Sequence, residues 1–124
     1  MDESFYDRVG GEPFFADLVD AFYAGVEAEP VLRNMYPEDL TDSKRYLTLF
    51  LIQYWGGPTT YMAQRGHPRL RLRHESFRIN RVARDAWLDA MRAALESVAD
   101  RLTSEDRATL WSYLETTAGQ LRNV

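Results

Sequence analysis

Cysteine is absent from this chain of 124 residues, which excludes disulfides, thiolate metal sites and cysteine nucleophiles. Histidine is scarce at two copies, His67 and His74, and lysine is nearly missing, with Lys44 alone against fourteen arginines. That bias fits either genome base composition or heat adaptation. No apolar run approaches the ~20 residues of a membrane span. The opening run, Met1 to Asp7, is acidic and has neither the basic nor the apolar region of a signal peptide. No stretch alternates as a strand would, and no repeat or low-complexity tract interrupts the chain. These absences predict an all-α, cytoplasmic protein that makes no use of a membrane.

What is present is enough for one core. Hydrophobic residues make up 45% of the chain, so a single domain over residues 1–124 is expected. The net charge of −4 is uneven, because residues 65–84 hold seven arginines against one acid, Glu75. This local +6 leaves −10 for the remainder. Three readings stay open for the patch: a solvated face, a nucleic-acid surface, or a set of cations for an anionic small ligand. Overall acidity and the lack of a nucleic-acid-binding motif argue against the second, so no nucleic-acid partner is expected.

The periodicity is helical nearly throughout. Phe15, Val19, Phe22 and Val26 form one apolar stripe on a helix from about Pro13 to Ala28, separated by Gly10-Gly11 from a short leading helix at Phe5–Val9. Pro30 opens a single turn through Met35. Thr41 or Asp42 is expected to cap a helix whose stripe is Leu47, Phe50, Leu51 and Tyr54, with Ser43 one turn earlier, and Gly56-Gly57-Pro58 ends it. Pro58 to Pro68 reads as an extended loop with at most one helical turn, followed by a short helix carrying Leu70, Leu72 and His74. Asn80 caps a helix with Leu88, Met91, Leu95 and Val98 buried. Thr103-Ser104-Glu105-Asp106 resembles a capping box with Asp in the acidic place, ahead of Leu110, Leu114, Thr117 and Leu121.

His74 is the residue that points to chemistry. In a helical, aromatic-rich chain without cysteine, a histidine is the natural protein ligand for a transition metal or a haem iron. His67 sits in Gly66-His67-Pro68, a loop signal. Tyr23, Tyr36 and Trp87 can each donate a hydrogen bond from an aromatic ring. One imidazole with three such donors is the set that a diatomic ligand on iron would need. Taken singly, each also reads as ordinary: a surface or core histidine, core-edge tyrosines, a packing tryptophan and a helix-start serine at Ser43.

Five stretches in order bring these residues together. They are Phe5-Tyr6-Asp7-Arg8-Val9-Gly10-Gly11, Arg33 to Asp39 (Arg-Asn-Met-Tyr-Pro-Glu-Asp), Gln53 to Pro58 (Gln-Tyr-Trp-Gly-Gly-Pro), Arg65 to His74, and Arg84-Asp85-Ala86-Trp87-Leu88. Over essentially its full length the chain resembles the truncated haemoglobins, specifically group II, the O-type bacterial globins. The resemblance implies a two-over-two helical sandwich around haem b. It makes His74 the proximal iron ligand and Tyr23, Tyr36 and Trp87 the distal residues, and puts Ser43 at the gate where longer globins carry a histidine. Leu47 and Phe50 would pack on the porphyrin face, Leu70 and Phe77 on the proximal side, and Arg73 or Arg69 would reach a propionate, with His67 near the haem edge.

The function implied is binding of dioxygen, and of other diatomics such as CO and NO, at a histidine-ligated iron. Three donors are more than a carrier needs, so a haem redox enzyme (nitric oxide dioxygenase or peroxidase-like) and a gas sensor stand beside it. No reductase domain or flavin motif is present, so multi-turnover catalysis would need an external reductase. A non-haem reading, a helical interaction module using the 65–84 patch, is the contrasting alternative. Monomer and homo-oligomer are both open, since Trp55 and Trp111 could mark an interface or finish the core.

Overall fold

The second helix, α2 (Glu12–Ala28), is the spine of the molecule. The structure, a computed structural model, describes residues 3–124. Met1 and Asp2, which begin the acidic opening run, lie outside the described residues. Preceded by α1 (Phe5–Arg8), α2 buries Phe15, Val19, Phe22 and Val26 completely, and it buries Phe14, Leu18 and Tyr23 as well. Its apolar face is therefore wider than the single predicted stripe, because α2 is covered on more than one side. It packs against α4 (Thr41–Tyr54) and crosses α7 (Arg81–Ser97), which in turn lies on α8 (Ser104–Leu121). Two helix pairs in two layers result, and no strand occurs among the described residues.

The α2–α7 crossing is close because small residues meet there. A Cβ placed on Gly25 would lie 3.1 Å from the Cβ of Ala90. The buried face of α7 accordingly runs through Ala83, Ala90, Met91, Ala94 and Leu95 and continues to Val98. Leu88, predicted to be buried, is only half-buried and sits at a charged groove beside α8. The pattern of large apolar residues misplaced it, since alanines rather than leucines make the tight contact.

Caps follow the sequence in part. Asn80 Oδ1 accepts from Ala83 N–H at 2.9 Å, as its position predicted. Neither Thr41 nor Asp42 caps α4. Asp39 does so from outside, accepting Thr41 N–H at 2.9 Å, and this bond holds the Asp39 carboxyl below its usual range. The expected loop between Pro58 and Pro68 contains a six-residue helix, α5 (Thr60–Arg65). Gln53 Oε1 accepts Met62 N–H at 2.9 Å, and Tyr61 is buried edge-on to Tyr46 and Phe50. Those tertiary anchors stabilise a turn too short to show a period. The glycine pair that closes α4 is needed for geometry. Gly56 has φ +100°, and a Cβ on Gly57 would come within 2.7 Å of both Ile52 and Tyr6.

Trp55 and Trp111 are half-buried and pack against the core. Trp55 packs against Phe5 with ring centroids 4.4 Å apart, and Trp111 lies beneath the guanidinium of Arg92 at 4.9 Å.

At α8, Thr103 Oγ1 accepts Asp106 N–H at 3.0 Å, the first half of the predicted capping box. The Asp106 carboxylate is taken by Arg8, whose Nη2 and Nε donate at 2.9 and 3.3 Å, tying α1 to α8. Arg8 holds the Asp106 carboxyl below its ordinary value. A carboxylate depressed in the folded state stabilises above its unfolded pKa of ~3.9 and loses that contribution as pH falls through the lower folded value. Asp106→Asn should therefore lower Tm near neutrality, with the gap to the parent narrowing below pH ~4. Thermal melts at neutral and acid pH check this, and a pH-independent gap would remove the ion pair as its cause.

Candidate functional site

Arg33, at the end of α3 (Pro30–Arg33), shapes the first wall of the site. Its guanidinium donates to the carbonyls of Tyr36, Pro37 and Glu38 at 3.4, 3.0 and 2.8 Å. This clasp folds the Met35–Glu38 segment so that Tyr36 meets Tyr23 of α2 edge-on, with ring centroids 5.5 Å apart. Phe22 packs on Tyr23 at 5.0 Å and on Trp87 of α7 at 5.3 Å. Tyr23, Tyr36 and Trp87 thus come from three different elements and converge on one point.

Burial raises both tyrosines. Tyr36 is pushed up to about 12, while hydrogen bonds from Trp87 and Tyr23 act in the opposite direction. Tyr23 goes higher still, first by burial and then through Tyr36, with a hydrogen bond from Ser43 pulling it down. Both phenols stay neutral across the ordinary pH range.

The second wall is α6 (Leu70–His74). His74 Nδ1 lies 2.6 Å from the Leu70 carbonyl, one turn back. A carbonyl only accepts, so Nδ1 is the donor in this contact, and Nε2 is the nitrogen left to serve as a ligand. Phe77 follows with its ring centroid 6.5 Å from the imidazole.

Between these walls lies a cavity of about 620 Å³. Ten of the residues singled out in the sequence line it: Tyr23, Tyr36, Ser43, Leu47, Phe50, Leu70, Arg73, His74, Phe77 and Trp87. Arg69 does not. It precedes α6 in the left-handed region at φ +48°, and both it and His67 are exposed and absent from the lining. Arg65 and Arg84 join Arg73 at the cavity instead. Arg65 stacks over Tyr46 at 4.3 Å, Arg84 pairs with Asp85 at 3.0 Å, and Arg73 Nε donates to Pro68 O at 2.7 Å. Tyr46, Tyr61, Ile79, Ala83 and Tyr113 also line the cavity and were missed. Only Tyr46 carried a signal, lying one turn beyond Ser43 on α4.

A two-layer helical fold enclosing an apolar cavity, with one free imidazole nitrogen and clustered ring donors, defines a haem protein of the globin class. The chain belongs to the bacterial-like globin family, which it matches over residues 4–123, and within that family to the group 2 truncated haemoglobins. The group 2 truncated haemoglobin YjbI of Bacillus subtilis is 41% identical over 126 residues, covering 99% of this chain and 93% of its own length. The thermostable haemoglobin of the actinobacterium Thermobifida fusca superposes with a TM-score of 0.95 at 50% identity, covering 98% of each chain. The truncated oxygen-avid haemoglobin of Bacillus subtilis gives 0.91 at 40% identity, covering 98% of this chain and all of its own. Among the described residues no helix is long and apolar enough to cross a membrane.

The lining fits the haem that a globin holds. It offers an imidazole nitrogen for iron, apolar side chains for the macrocycle and three arginines for its two carboxylates.

Proposed function

We propose that the chain binds haem b through His74 Nε2 and takes dioxygen, or CO and NO, on the side of Tyr36 and Trp87. The observation that carries this reading is the 2.6 Å contact of His74 Nδ1 with the Leu70 carbonyl inside the cavity wall, which leaves Nε2 as the ligand nitrogen. Ferrous haem ligated by one histidine supplies a further coordination position for a diatomic molecule. Around that position Tyr36, Trp87 and Tyr23 would offer hydrogen-bond donors, with Ser43 on the same cavity wall. Leu47 and Phe50 exclude water from one face, and Leu70 and Phe77 do so beside His74. Arg73, with Arg65, holds the propionates at the rim. The oxygen avidity of the Bacillus subtilis relative supports this use of the pocket, and a cytoplasmic location is part of the same proposal.

Each donor aimed at a charged acceptor contributes about 1.5–3 kcal/mol, or ~10- to 150-fold in ligand release. The test is haem titration followed by stopped-flow dioxygen release from the ferrous protein. Stoichiometric haem uptake with release over seconds or longer is expected. Release within milliseconds would mean that the cluster does not engage the ligand, and failure to take up haem would return weight to an interaction module. The polar cluster favours one second reading, a redox role with nitric oxide or peroxide, for which an external reductase would supply electrons.

A further inference from the structure

We infer that Asn123, just beyond α8, is a positioning residue for His74. The inference rests on the proposed ligation and concerns how firmly that imidazole is presented. His74 is fixed at its ring by Leu70. At its backbone it is fixed from a point far along the chain, because Asn123 Nδ2 donates to the His74 carbonyl at 3.3 Å and to the Phe77 carbonyl at 2.8 Å. The Asn123 Oδ1 accepts Ile79 N–H at 2.9 Å, and its main-chain N–H donates to Ile79 O at 2.9 Å.

One residue therefore uses its whole hydrogen-bonding capacity, apart from its own carbonyl, on the six residues from His74 to Ile79. That segment has little else to hold it. Residues 75–78 are exposed, and α6 has no side-chain N-cap. Ile79 is buried and lines the cavity, so the clamp joins the wall behind His74 to the end of α8, where Leu121 also lines the cavity. At this helix end, where the last carbonyls of a helix lack i+4 partners, the His74 carbonyl accepts a tight-turn bond from Phe77 N–H at 3.1 Å and has room for a second donor. Asn123 supplies a donor to it and to Phe77 at once. Asparagine suits the place, since only a side-chain amide presents two donors and an acceptor from so short a stem.

The test compares Asn123→Ala and Asn123→Asp in the haem-loaded full chain. Arg101→Ala, which removes the exposed Arg101–Asp17 pair at 2.8 Å, serves as a control for general destabilisation. Resonance Raman reads the ferrous iron–histidine stretching band, and haem transfer to an excess of apomyoglobin reads retention. Asn123→Ala should shift or broaden the band and speed haem loss roughly 10-fold, the low end of what outer-shell partners of a metal-bound histidine are worth. Asn123→Asp keeps the acceptor for Ile79 but sets a carboxylate oxygen against two carbonyls, so its effect should be at least as large. Arg101→Ala should leave the band in place. If both Asn123 variants keep the parental band, the residue does not position His74, even if haem loss quickens. If no variant or parent takes up haem, the underlying ligation reading fails instead.

Discussion

His74→Ala is expected to abolish the ferrous iron–histidine band and to weaken haem retention more than any other single change. Partners that only orient a metal-bound histidine are worth ~10- to 100-fold in affinity, and loss of the ligand itself should exceed that. No other imidazole can take its place, because His67 is exposed on the α5–α6 loop and does not line the cavity. The helical fold should survive, since His74 is outside the buried core formed by α2, α4, α7 and α8. Circular dichroism of the variant separates the two effects. A variant that retains a five-coordinate ferrous histidine spectrum would refute the assignment, and lost helicity would make His74 a folding residue first.

Trp87→Phe carries the second large effect. The change keeps a ring to pack on Phe22 but removes the indole N–H. That group only donates, and it draws the Tyr36 phenol pKa down against the effect of burial. Losing it removes one donor, so dioxygen release should quicken by ~10- to 150-fold, the worth of one charge-assisted donor. Tyr23→Phe breaks a link one step further from the ligand and should have the smaller effect. Stopped-flow release rates for the two variants decide the order. An unchanged rate in Trp87→Phe would show that the cluster serves packing alone.

The long helices were legible in the sequence because each carries its own periodic stripe and a terminal signal, as with Phe15 to Val26 or Asn80 before α7. Residues that gather at the cavity were legible through motif resemblance and not through spacing. Tyr23, Tyr36, His74 and Trp87 are spread over four elements, and no local pattern ties them together. What stayed hidden depends on tertiary partners. The α5 turn is held by Gln53 and by burial of Tyr61, and α4 is capped by Asp39 from outside the helix. Leu88 yielded its predicted burial to alanines, because the closeness of Gly25 to Ala90 is invisible until two helices meet. Among seven arginines of one sign, nothing in the order of residues could separate Arg65 and Arg84, which reach the cavity, from Arg69, which does not.

The 2.6 Å contact between His74 Nδ1 and the Leu70 carbonyl also fixes the electronic character of the site. A neutral amide oxygen draws the imidazole proton less strongly than a carboxylate would, so the ring stays a moderate σ-donor with little imidazolate character. On the proposed ligation, the Leu70 carbonyl would give the iron less electron push toward oxygen–oxygen cleavage than a carboxylate partner would. Any such chemistry in this pocket would depend on Tyr36 and Trp87, which can deliver hydrogen bonds but hold no negative charge. On that ligation the balance would lean toward keeping a diatomic molecule whole.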